Sequence, residues 1–464
     1  MTETHDRSAR EQALHILHRV ETKGAYVSHL LAETTGNERG GGHSRDRALL
    51  EQLVKGTLDW RGRIDAVLDG VVKGGIAPLT PWIRTILRLG TYQILFLDRI
   101  PPEVAVHESV ELAKKYGHRG TTGLVNAVLR KVAAQAKTGT TPGPVPTDGQ
   151  QDEAERIAAT YSHPLWMVRR WIEQLGSKET IGLCITNNQA WPLCLLTNTL
   201  TISTPDLRSA LHTEGVACHP APYHPDCTIV DALPRDIRLH ELSAYRAGLF
   251  LVQDESSAFV ARLVAPQSGE FVVDLCSAPG GKTANMAMLM RNQGRVLAVD
   301  LHAKRLGVVE ANCQRLGVSI VETVGADGRF VRTDRPADRV LVDAPCSGLG
   351  ALGRRSDARW NKSDDDLPRL RALQLELLRH AATLLRPGGR LVYSTCTIAP
   401  AENEGVVREF LRDNPTYRAI EASADLPSAL VDEHGYYHTW PHRHGMGGAF
   451  GAAMVRVASA SPEM

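Results

Sequence analysis

The sequence lacks any apolar run of about 18 residues, the length that a membrane-spanning helix requires. Its start, MTETHDRSAREQALHIL, carries scattered charges and no short apolar block before a cleavage site, so it does not resemble a secretory signal. Only eight cysteines occur in 464 residues, too sparse for a disulfide scaffold, and we expect reduced thiols. A strong charge of one sign is also missing, since the formal net charge is +1. Composition therefore predicts an ordinary cytoplasmic protein.

A zinc pattern is also lacking. The stretch CHPAPYHPDC brings Cys218, His219, His224 and Cys227 together, but their spacing fits no common zinc site and the prolines indicate a loop. We therefore expect no metal.

The length and the hydrophobic patterns predict several domains. Residues 1–136 repeat apolar positions at three- and four-residue spacing, as in RDRALLEQLVKGTLDW, which predicts an all-α bundle. Residues 137–152, KTGTTPGPVPTDGQQD, have the composition of a linker, and residues 153–244 predict a small α/β module. Residues 245–464 alternate short apolar strands with helical stretches, which predicts a Rossmann-like α/β domain with a parallel sheet and a ligand at the strands' carboxyl ends.

The helical part is locally basic. From Ser44 to Lys131 the chain has fourteen Lys and Arg against nine Asp and Glu. A basic face binds phosphate, but an ordinary solvated helical surface accounts for the same count. Both interpretations remain open on composition alone.

The stretch DLCSAPGGKT, residues 274–283, ends like a phosphate-binding loop. A P-loop needs glycine five positions before the glycine of its Gly-Lys pair, and Cys276 occupies that position. Because Cys276 and Pro279 are restricted in φ, they argue against a loop that wraps phosphates. This weakens the hypothesis of an enzyme that hydrolyses ATP or GTP.

An acidic residue at the end of the second strand favours an adenosine-containing cofactor. Asp300 lies 26 residues after Asp274, where carboxylates accept hydrogen bonds from ribose hydroxyls. The G-x-G-x-x-G of NAD-binding proteins is replaced by A-P-G-G-K, so S-adenosylmethionine is favoured. The alternative is that Asp300 merely caps the next helix.

Two further motifs follow apolar strands. DAPCSGLG, residues 343–350, and YSTCT, residues 393–397, each place a cysteine at a strand's carboxyl end. One such cysteine is most often an inert core residue, but two beside a cofactor loop indicate chemistry. Together with DLCSAPGGKT, these motifs resemble those of the RNA cytosine-5 methyltransferases.

The helical part extends the resemblance. The stretches ILRLGTYQILFLDRIPPEVAVHESVELAKKYG and GLVNAVLRK are similar to the NusB-like RNA-binding domain related to a transcription antitermination factor. The combination resembles bacterial 16S ribosomal RNA cytosine-5 methyltransferases. It implies methylation of carbon 5 of a cytosine by S-adenosylmethionine through a covalent adduct between cysteine and carbon 6. The implied partner is 16S ribosomal RNA or a small-subunit assembly intermediate, and we expect a monomer that binds no membrane.

The resemblance also assigns roles to residues. It implies that Cys396 is the nucleophile, that Cys346 assists release, and that Asp343 contacts the target base, with Lys282 as a source of positive charge. The residues implied to bind the cofactor are Cys276, Ser277, Ala278, Pro279, Gly280, Gly281, Lys282, Asp300, Asp327 and Asp343.

Two segments flank this site. QDESS, residues 253–257, resembles the motif that precedes the first strand in the family. Near the end, HGMGGAFGAAM has Gly447 where the family usually has an acid and Ala449 where it has an aromatic residue. This departure puts a role for those two side chains in doubt.

Alternatives to a 16S methyltransferase remain. The same chemistry could act on transfer RNA or another RNA, or the chain could be a non-catalytic antitermination-like factor that binds RNA. For any of these, we expect a set of basic side chains to hold RNA phosphates: Arg45, Arg47, Arg61, Arg63, Lys114, Lys115, Arg130 and Lys131.

Overall fold

The computed structural model describes residues 7–36, 44–138, 152–234, 237–355 and 357–457. By their contacts the residues form two compact units: Met1–Gln189 with Leu352–Asp364, and Ala190–Ala351 with Asp365–Met464. Most of the predicted linker, residues 139–151, lies outside the described residues. The four-part division of the chain stays a prediction.

The first unit contains the predicted helical bundle. Its nine long helices are α1 (Ala9–Lys23), α2 (Val27–Gly36), α3 (Ser44–Asp59), α4 (Arg61–Val71), α5 (Pro81–Phe96), α6 (Pro102–Tyr116), α7 (Arg119–Lys137), α8 (Glu153–Tyr161) and α9 (Leu165–Asn187), counted over the described ranges. The predicted apolar stripes are largely buried, among them Leu50, Leu53, Val54, Leu58, Val125, Val128, Leu129 and Val132. Burial of these apolar stripes against neighbouring helices confirms the bundle, in which α5 is central because its residues 85–94 are buried on every side.

The second unit begins with a small antiparallel sheet. Its strands are β1 (Leu193–Thr197), β2 (Ala217–Pro220), β3 (Cys227–Ala232) and β4 (Phe250–Val252), in the order β2-β3-β1-β4. The helices α10 (Thr204–Thr213) and α11 (Ser243–Arg246) share its core. The predicted small α/β module is confirmed.

A large mixed sheet forms the rest of this unit. The strands are β5 (Phe271–Leu275), β6 (Arg295–Asp300), β7 (Val321–Gly325), β8 (Ala337–Asp343), β9 (Leu385–Thr395), β10 (Tyr417–Ile420), β11 (Tyr437–Thr439) and β12 (Ala449–Arg456). The helices are α12 (Glu255–Val264), α13 (Gly281–Leu289), α14 (Ala303–Leu316), α15 (Ala358–Asn361), α16 (Asp366–Leu384), α17 (Glu404–Asp413) and α18 (Pro441–His444), of which α15 belongs to the first unit.

The predicted parallel core is confirmed. Strands β9, β8, β5, β6 and β7 are neighbours in this order and pair in parallel. Sequence patterns did not predict β10, β11 and β12, which add an antiparallel edge next to β9. Because parallel strands end at the same edge, the loops after β5, β6, β8 and β9 meet there.

The segment Leu352–Asp364 departs from the order expected of a contiguous catalytic domain, because its contacts place it in the helical unit. The Arg359 guanidinium is fully buried there and donates to the carbonyl oxygens of Asp59 at 3.0 Å and Ser162 at 3.1 Å. The Trp360 indole donates to the carbonyl oxygen of Leu58 at 2.6 Å.

Helices long and apolar enough to cross a bilayer are not found among the described residues.

Candidate active site

The loop between β5 and α13 turns sharply. Cys276 has φ 64° and Gly280 has φ 96°, both in the left-handed region. The restricted φ that the sequence predicts for Cys276 is wrong in this respect, and a hydrogen bond from the Ser277 amide to the Val299 carbonyl, at 2.9 Å, holds the backbone beside β6. At Gly280 a Cβ would lie 2.9 Å from Val309, so a larger residue would push the loop away from α14.

Carboxylates surround this loop. Burial, followed by the charges of Asp343, Asp274, Asp300 and Asp327, raises the pKa of Cys276 to about 12, so this thiol stays neutral. Burial and neighbouring carboxylates raise the pKa of Asp274 to about 7, although a hydrogen bond from Thr283 opposes them. An anionic environment attracts a cationic ligand and repels phosphate groups.

One polar atom at the end of β5 and one in the loop after it have no hydrogen-bond partner in the described part of the chain. Asp274 Oδ1 and Ser277 Oγ are buried and make no hydrogen bond within the described part of the chain. Buried polar atoms are normally paired, so such atoms beside a loop indicate a missing partner. A cofactor with a positive sulfonium and an amino group fits both this feature and the charge.

Asp300 and Asp327 lie at the ends of the next two strand–loop connections. Asp300 is 4% exposed, and its two oxygens accept from the amides of Ala278 at 3.1 Å and His302 at 2.9 Å. It thus holds the loop between β5 and α13 and the turn before α14, but it does not cap α14, whose N-cap residue is His302, so the helix-cap alternative is wrong. Asp327 pairs with Arg329 at 2.7 Å.

Lys282, Asp343 and Ser394 form a hydrogen-bonded chain. Lys282 Nζ donates to Asp343 Oδ2 at 2.7 Å, and Ser394 Oγ donates to Asp343 Oδ1 at 2.9 Å. Burial disfavours the charged form of Lys282, but Asp343 outweighs it and raises the pKa of Lys282, with Cys396 acting in the same direction. The ammonium therefore keeps its charge at neutral pH.

The two cysteines predicted from the strand ends lie side by side. Cys346 Sγ and Cys396 Sγ are 3.3 Å apart, within hydrogen-bonding distance. This hydrogen bond, and then burial, raises the pKa of Cys346 well above the usual value. Cys346 therefore keeps its proton at neutral pH, and which of the two sulfurs acts as the nucleophile stays a prediction.

Sequence reasoning missed the carboxylate that holds the loop of Cys346. Glu402 is fully buried and accepts from the Ser347 amide at 2.9 Å, from the Ser347 hydroxyl and from Gln374 Nε2 at 2.9 Å. The Ser347 hydroxyl also lies 2.7 Å from Thr397 Oγ1, in the loop of Cys396. Glu402 thus fixes both loops relative to each other.

The next residue holds the loop of Cys396. Asn403 Nδ2 donates to the Thr397 carbonyl at 3.0 Å, and Asn403 Oδ1 accepts from the Thr395 hydroxyl at 2.6 Å. Neither Glu402 nor Asn403 shows a local sequence signal, because the polar stretch PAENEG has no pattern that indicates burial.

The glycine at the unusual C-terminal position has a steric reason. The Gly447 amide donates to Asp254 Oδ1 at 3.1 Å, and a Cβ at this position would lie 3.0 Å from that oxygen and 2.9 Å from Ser256 Oγ. Asp254 of the QDESS stretch therefore provides a carboxylate where residue 447 has none. Ala449 is buried at the start of β12.

The cysteines and histidines of CHPAPYHPDC have other partners. His219 Nδ1 lies 2.9 Å from Asp231, and His224 Nδ1 accepts from the Asp226 amide at 3.2 Å. Within the described ranges, the one group of three with metal-binding spacing is Glu404, Asp432 and His438, distinct from that stretch.

The basic residues expected to hold RNA lie in the helical unit. Several form ion pairs: Arg47 with Glu51, Arg61 with Asp65, Lys114 with Glu111 and Lys115 with Glu11. The side chain of Arg45 is not among those that the structure describes. RNA contact by this set stays a prediction.

Comparisons with known proteins match three parts of the chain. Residues 261–455 match the family model described as 16S rRNA methyltransferase RsmB/F. Residues 7–134 match the NusB family, and residues 163–235 match the ferredoxin-like domain of RsmF/B-like methyltransferases.

Individual relatives match nearly the whole chain. The probable ribosomal RNA small subunit methyltransferase B of Bacillus subtilis (strain 168) is 34% identical over 455 residues, 96% of this chain and 98% of the relative. The ribosomal RNA small subunit methyltransferase B of Cronobacter sakazakii is 33% identical over 80% of this chain and 83% of its own length. The crystal structure of PH0851 aligns with a TM-score of 0.79 at 26% identity, covering 96% of this chain and 98% of that one.

Proposed function

The chain belongs to the RsmB/F family of 16S rRNA methyltransferases, and from this premise we propose that it methylates carbon 5 of a cytosine in small-subunit ribosomal RNA. The observation that carries this proposal is the pair of sulfur atoms 3.3 Å apart, Cys346 and Cys396, at the ends of adjacent strands. One nucleophile and one further sulfur are what addition to a pyrimidine ring and subsequent release require.

Carbon 5 of cytosine is too weak a nucleophile to accept a methyl group directly. In the proposed first step the Cys396 thiolate adds to carbon 6, which makes carbon 5 nucleophilic. Asp343 faces the nitrogen edge of the ring and orients it by accepting from the amino group, and the positive charge of Lys282 offsets the negative charge that develops after attack, a contribution of about 3 to 4 kcal/mol for such preorganised contacts. Lys282, held by Asp343, supplies the positive charge beside the sulfur.

Release is the proposed role of Cys346. The proton on carbon 5 passes to the Cys346 thiolate, its bonding electrons re-form the double bond between carbons 5 and 6, and Cys396 leaves as a thiolate. Once Cys396 is bonded to carbon it no longer forms the hydrogen bond that raises the pKa of Cys346 most. Cys346 therefore passes its own proton to solvent water more readily at this stage, and the resulting thiolate acts as the base.

S-adenosylmethionine, when bound, supplies the methyl group. The loop residues Cys276 to Lys282 would hold its methionine part, Asp300 its ribose, and Asp327 would lie by the adenine. The carboxylates around the loop and the two unpaired polar atoms, Asp274 Oδ1 and Ser277 Oγ, support a cationic cofactor over a nucleoside triphosphate.

The target cytosine must leave any base-paired stack before Cys396 can reach carbon 6. Single-stranded or flipped-out bases are the usual targets of such enzymes. The helical bundle and the small α/β module would then contact the RNA backbone, while the pocket at the sheet edge accepts one base.

The test is transfer of labelled methyl from S-adenosylmethionine to unmodified small-subunit ribosomal RNA, with the product mapped to a nucleotide. We expect label in one cytosine with wild-type protein and none with Cys396→Ala. Cys313→Ala, which changes a buried cysteine on α14, is the matched control and should keep activity. Label on another base, or full activity of Cys396→Ala, would refute the proposal.

A further inference from the structure

A basic pocket lies in the helical unit, distinct from the cysteine pair at the sheet edge. It encloses about 470 Å³ and is lined by residues of α2, α3 and the segment Leu352–Asp364. Four cationic side chains line it, against two acidic ones: Arg47, Lys55, Arg354 and Arg355, with Glu51 and Asp357.

The two acidic side chains are engaged within the pocket itself, Glu51 by two of the four cations, so the positive excess comes from Arg354 and Arg355. Glu51 lies 3.6 Å from both Arg47 and Lys55, and Asp357 is 7% exposed and accepts from the Val27 amide at 3.5 Å. Arg47 Nη1 is shielded from solvent and has no hydrogen-bond partner among the described residues. Arg354 and Arg355 are exposed. The pocket therefore presents an excess of positive charge.

An exposed aromatic ring lies at the same pocket. Tyr26 lines it and is 65% exposed, which is high for a large aromatic side chain. An aromatic ring next to arginines is the combination that binds single-stranded nucleic acid, because the ring stacks on a base while guanidinium groups pair with phosphates.

The segment that carries the two arginines packs into the helical unit through Arg359 and Trp360. Arg359 donates four hydrogen bonds through its guanidinium, to the carbonyl oxygens of Asp59, Ser162 and Asn187 and to Asn188 Oδ1. Trp360 adds a hydrogen bond to Leu58. These hydrogen bonds hold Arg359 and Trp360 within the helical unit, a few residues after Arg354 and Arg355 in the chain.

We propose that this pocket binds a single-stranded segment of the substrate RNA, with phosphates on Arg47, Arg354 and Arg355 and one base stacked on Tyr26. The proposal rests on the proposed function for its substrate class. An acidic protein segment would also complement the positive charge of the pocket, but the exposed ring of Tyr26 favours a nucleotide, whose base can stack on it. Of the basic residues that the sequence predicts to hold RNA phosphates, Arg47 is the one among the described lining residues of this pocket.

The experiment measures binding of full-length protein to a fluorescent single-stranded fragment of small-subunit ribosomal RNA over a series of salt concentrations. For Arg354→Gln with Arg355→Gln, we expect the slope of log affinity against log salt to fall by about 1.4, and affinity at 0.15 M salt to fall about tenfold, because two phosphate contacts are lost. For Tyr26→Leu, we expect affinity to fall at least about fivefold with an unchanged slope.

Lys178→Gln, an exposed lysine of α9 away from the pocket lining, is the matched control and should bind like wild type. Wild-type slope and affinity in the arginine variant, with its melting temperature intact, would overturn the proposal. Binding of polyglutamate is measured as well, as a probe for an acidic protein segment. Substitutions that weaken polyglutamate binding but leave RNA binding unchanged would also overturn the proposal. Methyl transfer by the wild-type preparation is measured in parallel. If the pocket proposal fails, the variants bind RNA like wild type while methyl transfer persists; if the proposed function fails, wild type transfers no methyl group.

Discussion

At the scale of residues, three thiols near the sheet edge differ in their surroundings. Cys276 is enclosed by carboxylates that hold it neutral, and Cys346 is held protonated by its hydrogen bond to Cys396 and by burial. Cys396 interacts favourably with the charged Lys282. A positive neighbour favours a thiolate, which supports the proposed role of Cys396 as the nucleophile.

Asp274 provides a prediction about pH and stability. Its folded pKa of about 7 lies above its ordinary value of 3.8, mainly because of burial. An acid with a raised folded pKa stabilises the fold in its protonated form, so its contribution is full below about pH 4 and is lost as pH rises to about 7. We expect Asp274→Asn to gain up to about 4 kcal/mol relative to wild type across that range.

The measurement is the free energy of unfolding by urea for both proteins at several values between pH 4 and 7.5. Thr283→Val is a control, because it removes the hydrogen bond to Asp274 without removing the carboxyl group. Parallel curves for wild type and Asp274→Asn would show that burial does not raise this pKa.

At the scale of elements, the strands bring the chemistry together and Glu402 fixes its geometry. Each reactive side chain follows a strand that pairs in parallel with the next, so residues 50 apart in sequence, Cys346 and Cys396, become neighbours. The loops themselves have no regular structure, and their separation depends on the buried carboxylate between them.

We expect Glu402→Gln to lower the rate of methyl transfer about ten- to 100-fold, because the new amide group faces donors and leaves a buried hydrogen bond unmade at about 1 to 3 kcal/mol. If Glu402 positions Cys346, the variant should also accumulate a covalent RNA adduct, which a merely structural role would not produce. Single-turnover methylation and a denaturing gel measure both effects. Glu433→Gln, with a side chain 88% exposed, is the control; a wild-type rate in Glu402→Gln would exclude the positioning role.

Local sequence patterns predicted the strands whose own residues are apolar throughout, and they missed strands whose formation depends on distant parts of the chain. Apolar runs such as FVVDLCS and RVLVDAPC predicted β5 and β8, because buried parallel strands are apolar on both faces. The antiparallel β10, β11 and β12 were missed, since their pairing depends on residues far away in the chain. The left-handed turn at Cys276 was missed for a similar reason, because β6 holds it from outside the motif.

At the scale of the whole molecule, the stretch after the first cysteine motif belongs to the helical unit. The polar sequence GRRSDARWNKSDDD gives no sign that Arg359 is fully buried, because its four acceptors come from three distant parts of the chain. The sequence thus predicted the helical bundle, the small α/β module and the Rossmann-like domain. The assignment of Leu352–Asp364 to the helical unit could be seen only in the structure. The proposed RNA pocket and the loop of Cys346 are close in sequence, because Arg354 follows Cys346 by eight residues.

The measurement that tests the central claim most directly is a denaturing gel of Cys346→Ala incubated with S-adenosylmethionine and unmodified small-subunit ribosomal RNA. Addition by Cys396 without release by Cys346 predicts a protein–RNA adduct that survives denaturation, carries the labelled methyl group and is absent from Cys346→Ala with Cys396→Ala. Full turnover by Cys346→Ala with no adduct would contradict the account, because the second sulfur would then have no role in release.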